Sequence, residues 1–505
     1  MLSLTPGLRL LLRFLSSLII PTVFIYGAAR LAEHGIIYDV PTWVLAFAWI
    51  AYLPLTMAVR SVITWVQEER DIRRLGAVPI PAIKGRLPGN MDVVARLKTR
   101  TTHERIESLQ QEHGIIFNTR LMAQNRIFTA DPNHIKSILA TDFNIWEKGH
   151  KFRADMASVL GSGVVDGVWN NSLSLVRRFH RSMTRPFFAR DRITDFEIFA
   201  RHADEAIAVI RARQGNPIDF QDVLQRFTLD SSTEFLLGKC VNSLHALLPA
   251  SYGKIEIASL TAEAFGPALN RMAAWPLFEI LEDKTTHPKL IADEVLNILI
   301  AGRDTTSTTL TFLVYLLSVH PHVLVRLREE ILSRVGPSRY PDFEDMREMK
   351  YTRAVINETM RLFPAVPVNI RSNVRATTLP SNVPGGKPYY VPANSEVAYF
   401  VVAMQRSKDV WGPDADEFDP SRFLDERLQK YVLSNPFNFV PFNAGPRICL
   451  GQQLALDAQP AEAKPPVKWA SGSGKAIEKL IPKSALTLYV KGGLWMRFEE
   501  ATAEA

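Results

Sequence analysis

Two apolar stretches open the chain. Leu8 to Ala28 carries no charge except Arg9 and Arg13, and Trp43 to Val59 is uncharged until Arg60 interrupts its continuation to Val66. Each run is close to the shortest helix that spans a bilayer, about 17 residues. Arg70, Arg73, Arg74, Lys84 and Arg86 follow directly, and an excess of basic residues marks the cytoplasmic side of a membrane. Arg9 and Arg13 put the N-terminus on that side too. The pattern predicts a hairpin of two spans over residues 1–74, with one span plus an interfacial helix as the alternative. A cleaved signal peptide fits less well, because a second apolar run follows.

Residues 75–90 alternate proline and glycine with short apolar groups, which predicts a linker with little helix. From 91 to 505 the periodicity is mostly helical, with strand-like patches at Ile115–Asn118, Leu121–Thr129 and Ser395–Met404 and a closing pair at Ala485–Val490 and Leu494–Phe498. The longest helix is predicted from Pro288, which suits a first turn, to His320, where Pro321 ends it. At 1.5 Å per residue it is a rod of roughly 45 Å, long enough to cross a domain. The fold class is therefore mainly α with small β-sheets (α+β).

With 505 residues, 47% of them hydrophobic, the chain can bury a large core. It has two cysteines, Cys240 and Cys449, in unlike contexts, so a disulfide framework is not expected and a reducing compartment fits. Cys240 follows an apolar run and reads as packing. The net charge of +7 comes without a basic run interleaved with aromatics. That argues against nucleic acid as a partner and suits an anionic membrane or an acidic redox protein.

The chemistry concentrates at Phe442-Asn-Ala-Gly445-Pro-Arg447-Ile-Cys449-Leu-Gly451. A thiolate can be the axial ligand of haem iron and favours O–O cleavage. Gly445 permits a turn that a side chain would obstruct, and Gly451 lets backbone approach the metal side. N–H groups beyond Cys449 can hold the sulfur as the anion. Arg447 can pair with a haem propionate, and Phe442 can shield the sulfur from water. In this decapeptide the chain resembles the cytochrome P450 superfamily, matching F-x-x-G-x-R-x-C-x-G at every fixed position.

Other motifs extend the resemblance over about 75–460. Ala301-Gly302-Arg303-Asp304-Thr305-Thr306, mid-way along the long helix, resembles A-G-x-D/E-T-T/S. A glycine beside hydroxyl residues is a place where a helix can loosen, since Thr can bond back to a carbonyl. The resemblance implies that Asp304 and Thr305 lie over the distal haem face and relay protons, Thr305 last. Glu358-Thr-Met-Arg361 puts two charges on one helix face and resembles E-x-x-R. Pro420-Ser-Arg422-Phe423 resembles the family's second basic motif, which implies a buried triad of Glu358, Arg361 and Arg422. By family position Arg371 and Arg181 contact propionates, and Val366 and Pro367 face substrate. His180-Arg-Ser-Met-Thr-Arg185-Pro-Phe-Phe is similar to fungal microsomal members, some of which hydroxylate alkanes and fatty acids or degrade xenobiotics.

The sequence departs from the family pattern in three places. Arg177 stands where Trp is expected in W-x-x-x-R, and Asn170–Val176 looks inserted. The segment from Phe265 to Pro288 is short, which implies a reduced roof over the substrate chamber. Pro460, Pro465 and Pro466 break the helix that should follow the Cys loop.

The resemblance implies a P450 fold preceded by a membrane anchor: an anchor at 1–74, a linker at 75–90 and a haem-binding catalytic domain at 91–505. It implies a haem-thiolate monooxygenase that holds heme b through Cys449. Electrons would come from an NADPH-cytochrome P450 reductase, and oxygen would enter a small apolar substrate. The setting would be the endoplasmic reticulum membrane, with the catalytic domain facing the cytosol. The alternative is a catalytically impaired or mis-spliced homologue, a non-enzymatic membrane haem protein.

Overall fold

The computed structural model describes residues 22–23, 25–27, 30, 42–86, 90, 92–93, 109–120, 124–149, 152, 196–213, 215–244, 288–452, 480, 482–484 and 487–498. The chain divides into two units, 1–78 and 79–505.

In the first unit, the apolar run beginning at Trp43 forms helix α1, Thr42–Leu75, which continues without a break past Arg60. Arg73 and Arg74 in its last turn complement the negative end of the helix dipole. Trp43, Phe47, Ile50, Val62, Ile63 and Trp65 are all exposed. Trp49 Nε1 donates to Thr22 Oγ1 at 3.1 Å, which ties this helix to the first apolar run. Among the described residues no single helix is long and apolar enough to cross a membrane.

The second unit is mostly helical, with small sheets. Its elements in chain order are β1 (Ile116–Asn118), β2 (Arg126–Thr129), β3 (Trp146–Glu147), α2 (Phe196–Arg211), β4 (Ile218–Asp219), α3 (Phe220–Leu237), α4 (Pro288–Val319), α5 (Pro321–Arg334), α6 (Lys350–Leu362), β5 (Val368–Asn373), β6 (Thr377–Leu379), β7 (Tyr389–Val391), β8 (Glu396–Phe400), β9 (Pro482–Ser484), β10 (Leu488–Val490) and β11 (Trp495–Met496). Short helical turns fill the connections. The largest sheet has the order β1-β2-β8-β5-β3. Only β2 and β8 run parallel; the other neighbours are antiparallel. Ile127, Trp146, Val397 and Tyr399 are fully buried in its core.

The long helix is α4, bounded by Pro288 and Val319 as the sequence predicts. Its apolar residues from Leu310 to Leu317 are buried against α3 and α6, where Phe312 stacks on Phe363 with centroids 4.4 Å apart. Thr305, Thr308, Thr309 and Thr311 each bond back to a carbonyl four residues earlier, and the helix stays α through Gly302 nonetheless. Tertiary packing on both sides holds it.

Two expectations about strands are corrected. The patch at Ser395–Met404 is strand only to Phe400; Val401–Gln405 turns into a short helix, which brings the Gln405 amide to the carbonyls of Met360 and Arg361. The closing segments do not pair with each other. β10 pairs with β9, and β11 pairs with β4, at the start of α3. The side chain of Asp219 accepts the N–H of Leu494 at 2.9 Å, and the N–H of Phe220 goes back to the Leu494 carbonyl. That cap joins the chain's end to α3.

His134, in the short helix Pro132–Lys136 after β2, is fully buried. Its Nε2 lies 2.8 Å from the Pro380 carbonyl and its Nδ1 2.7 Å from Thr129 Oγ1. A carbonyl can only accept, so Nε2 carries the proton and Nδ1 accepts from the hydroxyl. Burial pushes its pKa down, against the pull of Asp131 and the Pro380 carbonyl. A base with a lowered folded pKa contributes stability that is complete above its ordinary value of about 6.5 and is lost as pH falls below it. Chemical denaturation between pH 7.5 and 5.5 is expected to show a loss of up to about 1.4 kcal/mol per pH unit from this group. His134→Gln should remove that part of the slope; an unchanged slope would contradict the assignment.

Candidate haem-thiolate site

The loop that carries Cys449 is shaped by constraints from outside it. Gly445 has φ +59°, and a Cβ there would meet Ala140 Cβ at 3.0 Å and the Leu139 carbonyl at 3.1 Å. Both the backbone sign and the space demand glycine. The surface it meets is a π-turn, Ser137–Thr141, closed by Ser137 Oγ donating to Asp142 at 2.7 Å. The N–H of Cys449 donates to the Phe442 carbonyl at 2.9 Å and closes the loop. Phe442 itself packs with Phe439 on Ile356 and Met360 of α6. Cys449 is exposed. At Gly451 a Cβ would meet no atom of the described residues within 4 Å.

Cations gather beside the loop. Arg371 on β5 is buried; its Nη1 donates to the Ile370 carbonyl, and its buried Nε has no hydrogen-bond partner among the described residues. Arg447 donates through Nη2 to the carbonyls of Phe143, at 2.8 Å, and Trp146. Lys148 joins them through strand register. Trp146 pairs with Asn373 and Glu147 with Ser372, so the next residue comes level with Arg371. Gly149 then takes φ +80°, with no room for a Cβ against Ser372 Oγ. Burial first, then the charges of Arg371 and Arg447, push the Lys148 ammonium well below the usual lysine range. A buried orphan guanidinium N–H and a suppressed ammonium call for an anionic ligand.

The middle of α4 presents Asp304 and Thr305. Asp304 is buried, with Arg303 Nη1 at 3.1 Å from Oδ1. Arg303 Nη2 reaches Gln225 Oε1 of α3 at 3.5 Å, and burial pushes the guanidinium pKa down against the charges of Asp304 and Asp222. Thr305 is half-buried, and its hydroxyl donates to the Ala301 carbonyl at 2.7 Å. After α6, Pro367 is buried and Val366 half-buried.

Glu358, Arg361 and Arg422 meet, and all three are fully buried. Arg361 makes a bidentate pair with Glu358 at 2.7 and 2.8 Å. Arg422 Nε lies 3.5 Å from Glu358 Oε1, and its Nη2 donates to Asp414 Oδ2 at 2.9 Å. Removing one member would strand a buried charge, typically at about 3–5 kcal/mol. Arg181, Arg177, Trp169, the segment 265–287 and the prolines at 460–466 lie outside the described residues.

A family model for Cytochrome P450 matches residues 81–265 and 268–457. The chain belongs to the cytochrome P450 family. It is 32% identical over 464 residues to cytochrome P450 monooxygenase pvhE of Talaromyces variabilis, covering 78% of this chain and 84% of that protein. It is 32% identical over 453 residues to cytochrome P450 52E1 of Candida apicola, covering 76% and 83%. Cytochrome P450 52A1 of Candida tropicalis is 36% identical over 395 residues, covering 65% and 69%. The crystal structure of the cytochrome P450DA heme domain superposes with a TM-score of 0.70 at 19% identity, over 85% of this chain and 98% of that one; this likeness concerns the fold. The family match ends at residue 457, just before the first helix-breaking proline at 460.

P450 membership implies a haem with an axial thiolate, and the residues present fit it. An exposed thiol sits in the loop. A buried guanidinium N–H without a partner among the described residues, a second arginine and a suppressed lysine adjoin it, and these suit a ligand that carries carboxylates. Local motifs single out Cys449, Arg447 and Arg371. No motif marks Lys148, which reaches the cluster through pairing of β3 with β5, or Arg303, which occupies the variable position of its motif and pairs with Asp304.

Lys148 yields a prediction with two opposite signs. Its charge opposes folding of the haem-free chain at neutral pH, since its folded pKa is lowered. Lys148→Met should therefore raise the unfolding midpoint of haem-free protein. In hemin titration it should weaken binding roughly 10- to 100-fold, the equivalent of about 1.5–3 kcal/mol for a hydrogen bond to a charged group. Unchanged hemin affinity would exclude Lys148 from the carboxylate contact.

Proposed function

We propose that this P450 monooxygenase hydroxylates a small apolar substrate with dioxygen, using electrons from an NADPH-dependent flavoprotein reductase. The observation that carries the reading is the exposed Cys449 thiol on a loop seated by Gly445, beside the buried Arg371 and the half-buried Arg447 and Lys148, which suit carboxylates. Haem b, when bound through a thiolate, supplies the activation of dioxygen and the cleavage of its O–O bond.

The chain's own residues bind, orient and move protons. Cys449 supplies the thiolate. Phe442, packed on α6, keeps water from the sulfur. Arg371, Arg447 and Lys148 hold the carboxylates and thereby fix the ring, with Arg181 added by family position. Thr305 holds a proton at Oγ1, and the Asp304 carboxylate beside it on α4 takes up and passes on protons at Oδ. The Thr305 hydroxyl must leave the Ala301 carbonyl to donate elsewhere, and Arg303 holds the Asp304 carboxylate in place meanwhile. Val366 and Pro367 offer apolar contact to substrate.

Residues 1–74 anchor the enzyme at the endoplasmic reticulum membrane, with 75–90 as linker and the catalytic domain in the cytosol. The exposed aromatic and aliphatic side chains of α1 support this, as do the basic residues at its end. The reductase docks on the face that carries Cys449, and the net charge of +7 favours an acidic partner there.

Purified wild-type chain should take up hemin and, when reduced with carbon monoxide, give the Soret band of a thiolate-ligated haem. Cys449→Ser should abolish that band. Thr305→Ala should keep the band but separate NADPH consumption from product, with release of peroxide. Failure of the wild type to bind hemin would leave a homologue without the chemistry. Unchanged coupling in Thr305→Ala would remove Thr305 from proton delivery.

A further inference from the structure

Helices α2 and α3 pack against each other, and their junction carries a cluster that haem chemistry does not use. His202 of α2 is buried. Its Nδ1 lies 2.8 Å from Glu205 Oε2 and its Nε2 lies 2.7 Å from Glu234 Oε2 of α3. Asp230, one turn before Glu234, is fully buried, and its two oxygens accept the N–H groups of Ser243 and Leu244 at 2.7 and 2.8 Å. Cys240 follows α3 in the loop, where its sulfur accepts the N–H of Asn242 at 3.1 Å. A donor atom from each of His202, Asp230 and Cys240 lies within 4.8 Å of the other two.

We propose that His202, Asp230 and Cys240 bind a divalent cation of the zinc class, with solvent in the fourth position. The site is independent of the haem reading and fastens α2, α3 and the loop 240–244 together. The donor set decides the class. Calcium and magnesium take oxygen donors, whereas an imidazole nitrogen, a sulfur and carboxylate oxygens together suit zinc. The surroundings match a built site. Glu205 on Nδ1 would fix the ring and turn Nε2 toward the metal, the usual arrangement for a metal-bound histidine. Backbone N–H groups already hold the Asp230 and Cys240 donors.

Charge argues the same way. Asp230, Glu205 and Glu234 surround one imidazole, and Arg201 answers Glu234 from the exposed rim. Burying the Asp230 carboxylate is costly, and a divalent cation adds to what its two backbone N–H partners supply. Binding must displace the Cys240 thiol proton to solvent. Closing the donors to about 2.0–2.3 Å around a zinc ion asks for movements of about an ångström, within the reach of side-chain rotation.

The test uses the full haem-loaded chain, dialysed against a chelator and then supplied with zinc ion alone. Elemental analysis should find one zinc per chain, counted apart from iron. Zinc-edge X-ray absorption should show one sulfur neighbour at about 2.3 Å and nitrogen or oxygen neighbours at about 2.0–2.2 Å. Cys240→Ala should lose the sulfur neighbour and His202→Gln the stoichiometric zinc, each with circular dichroism and Soret band retained. Glu205→Gln should keep the site but weaken it roughly 10- to 100-fold, as removal of a ligand-orienting carboxylate does. Wild type that retains no zinc, or bound zinc without a sulfur neighbour, would overturn the proposal. The wild-type spectrum decides the matter even if the variants do not fold.

Discussion

Arg361 has five N–H donors and no water to give them to. Two go to Glu358, two to the carbonyls of Gln405 and Ala415, and one to the carbonyl of Glu417. A buried charge of this kind is tolerable only when each donor is matched. The requirement fixes α6 against two segments more than forty residues away. Gln405 then carries the constraint onward. Its amide donates to the carbonyls of Met360 and Arg361, and its oxygen accepts the N–H of Val440. Val440 lies two residues before Phe442. One guanidinium thus positions the root of the Cys449 loop without touching it.

The other end of that loop is held differently. Gly445 rests on the π-turn at Ser137–Thr141, and Arg447 reaches the carbonyls of Phe143 and Trp146 just beyond it. The same segment leads into β3, which pairs with β5 and brings Lys148 level with Arg371. Satisfied hydrogen bonds support the loop from α6, while three cations lie beside it. The first rigidifies the protein without help. The second suits an anionic ligand, since a nearby negative charge favours the charged form of each.

Away from this centre the molecule reuses the same devices. Arg427 extends the buried network outward by bonding Asp414, Asp419 and Asp425, and Asp425 and Asp419 hold its pKa up. At the α2–α3 junction the carboxylates of Glu205 and Glu234 flank the buried His202 imidazole, and Arg201 pairs with Glu234. The two clusters sit on one helical framework, and each has a chemistry suited to a different guest.

Local order along the chain determined a good deal by itself. Proline at each end bounded α4, because a missing N–H is harmless in a first turn, while the ring of Pro321 clashes with the residue before it and turns that residue out of the helix. Spacing of three put Glu358 and Arg361 on one face, and ten consecutive residues announced the Cys449 loop. These are properties of residues close in sequence. Tertiary structure alone decided the rest. It placed Lys148 beside Arg371 through strand register and gave Arg447 its carbonyl partners some 300 residues away. It set β11 against β4 instead of its sequence neighbour, and turned Val401–Gln405 from strand to helix so that an amide could reach α6. The physical reason is common to all four: each depends on a donor, an acceptor or a charge brought close by folding, and no local pattern of hydrophobic and polar residues encodes which distant group that will be.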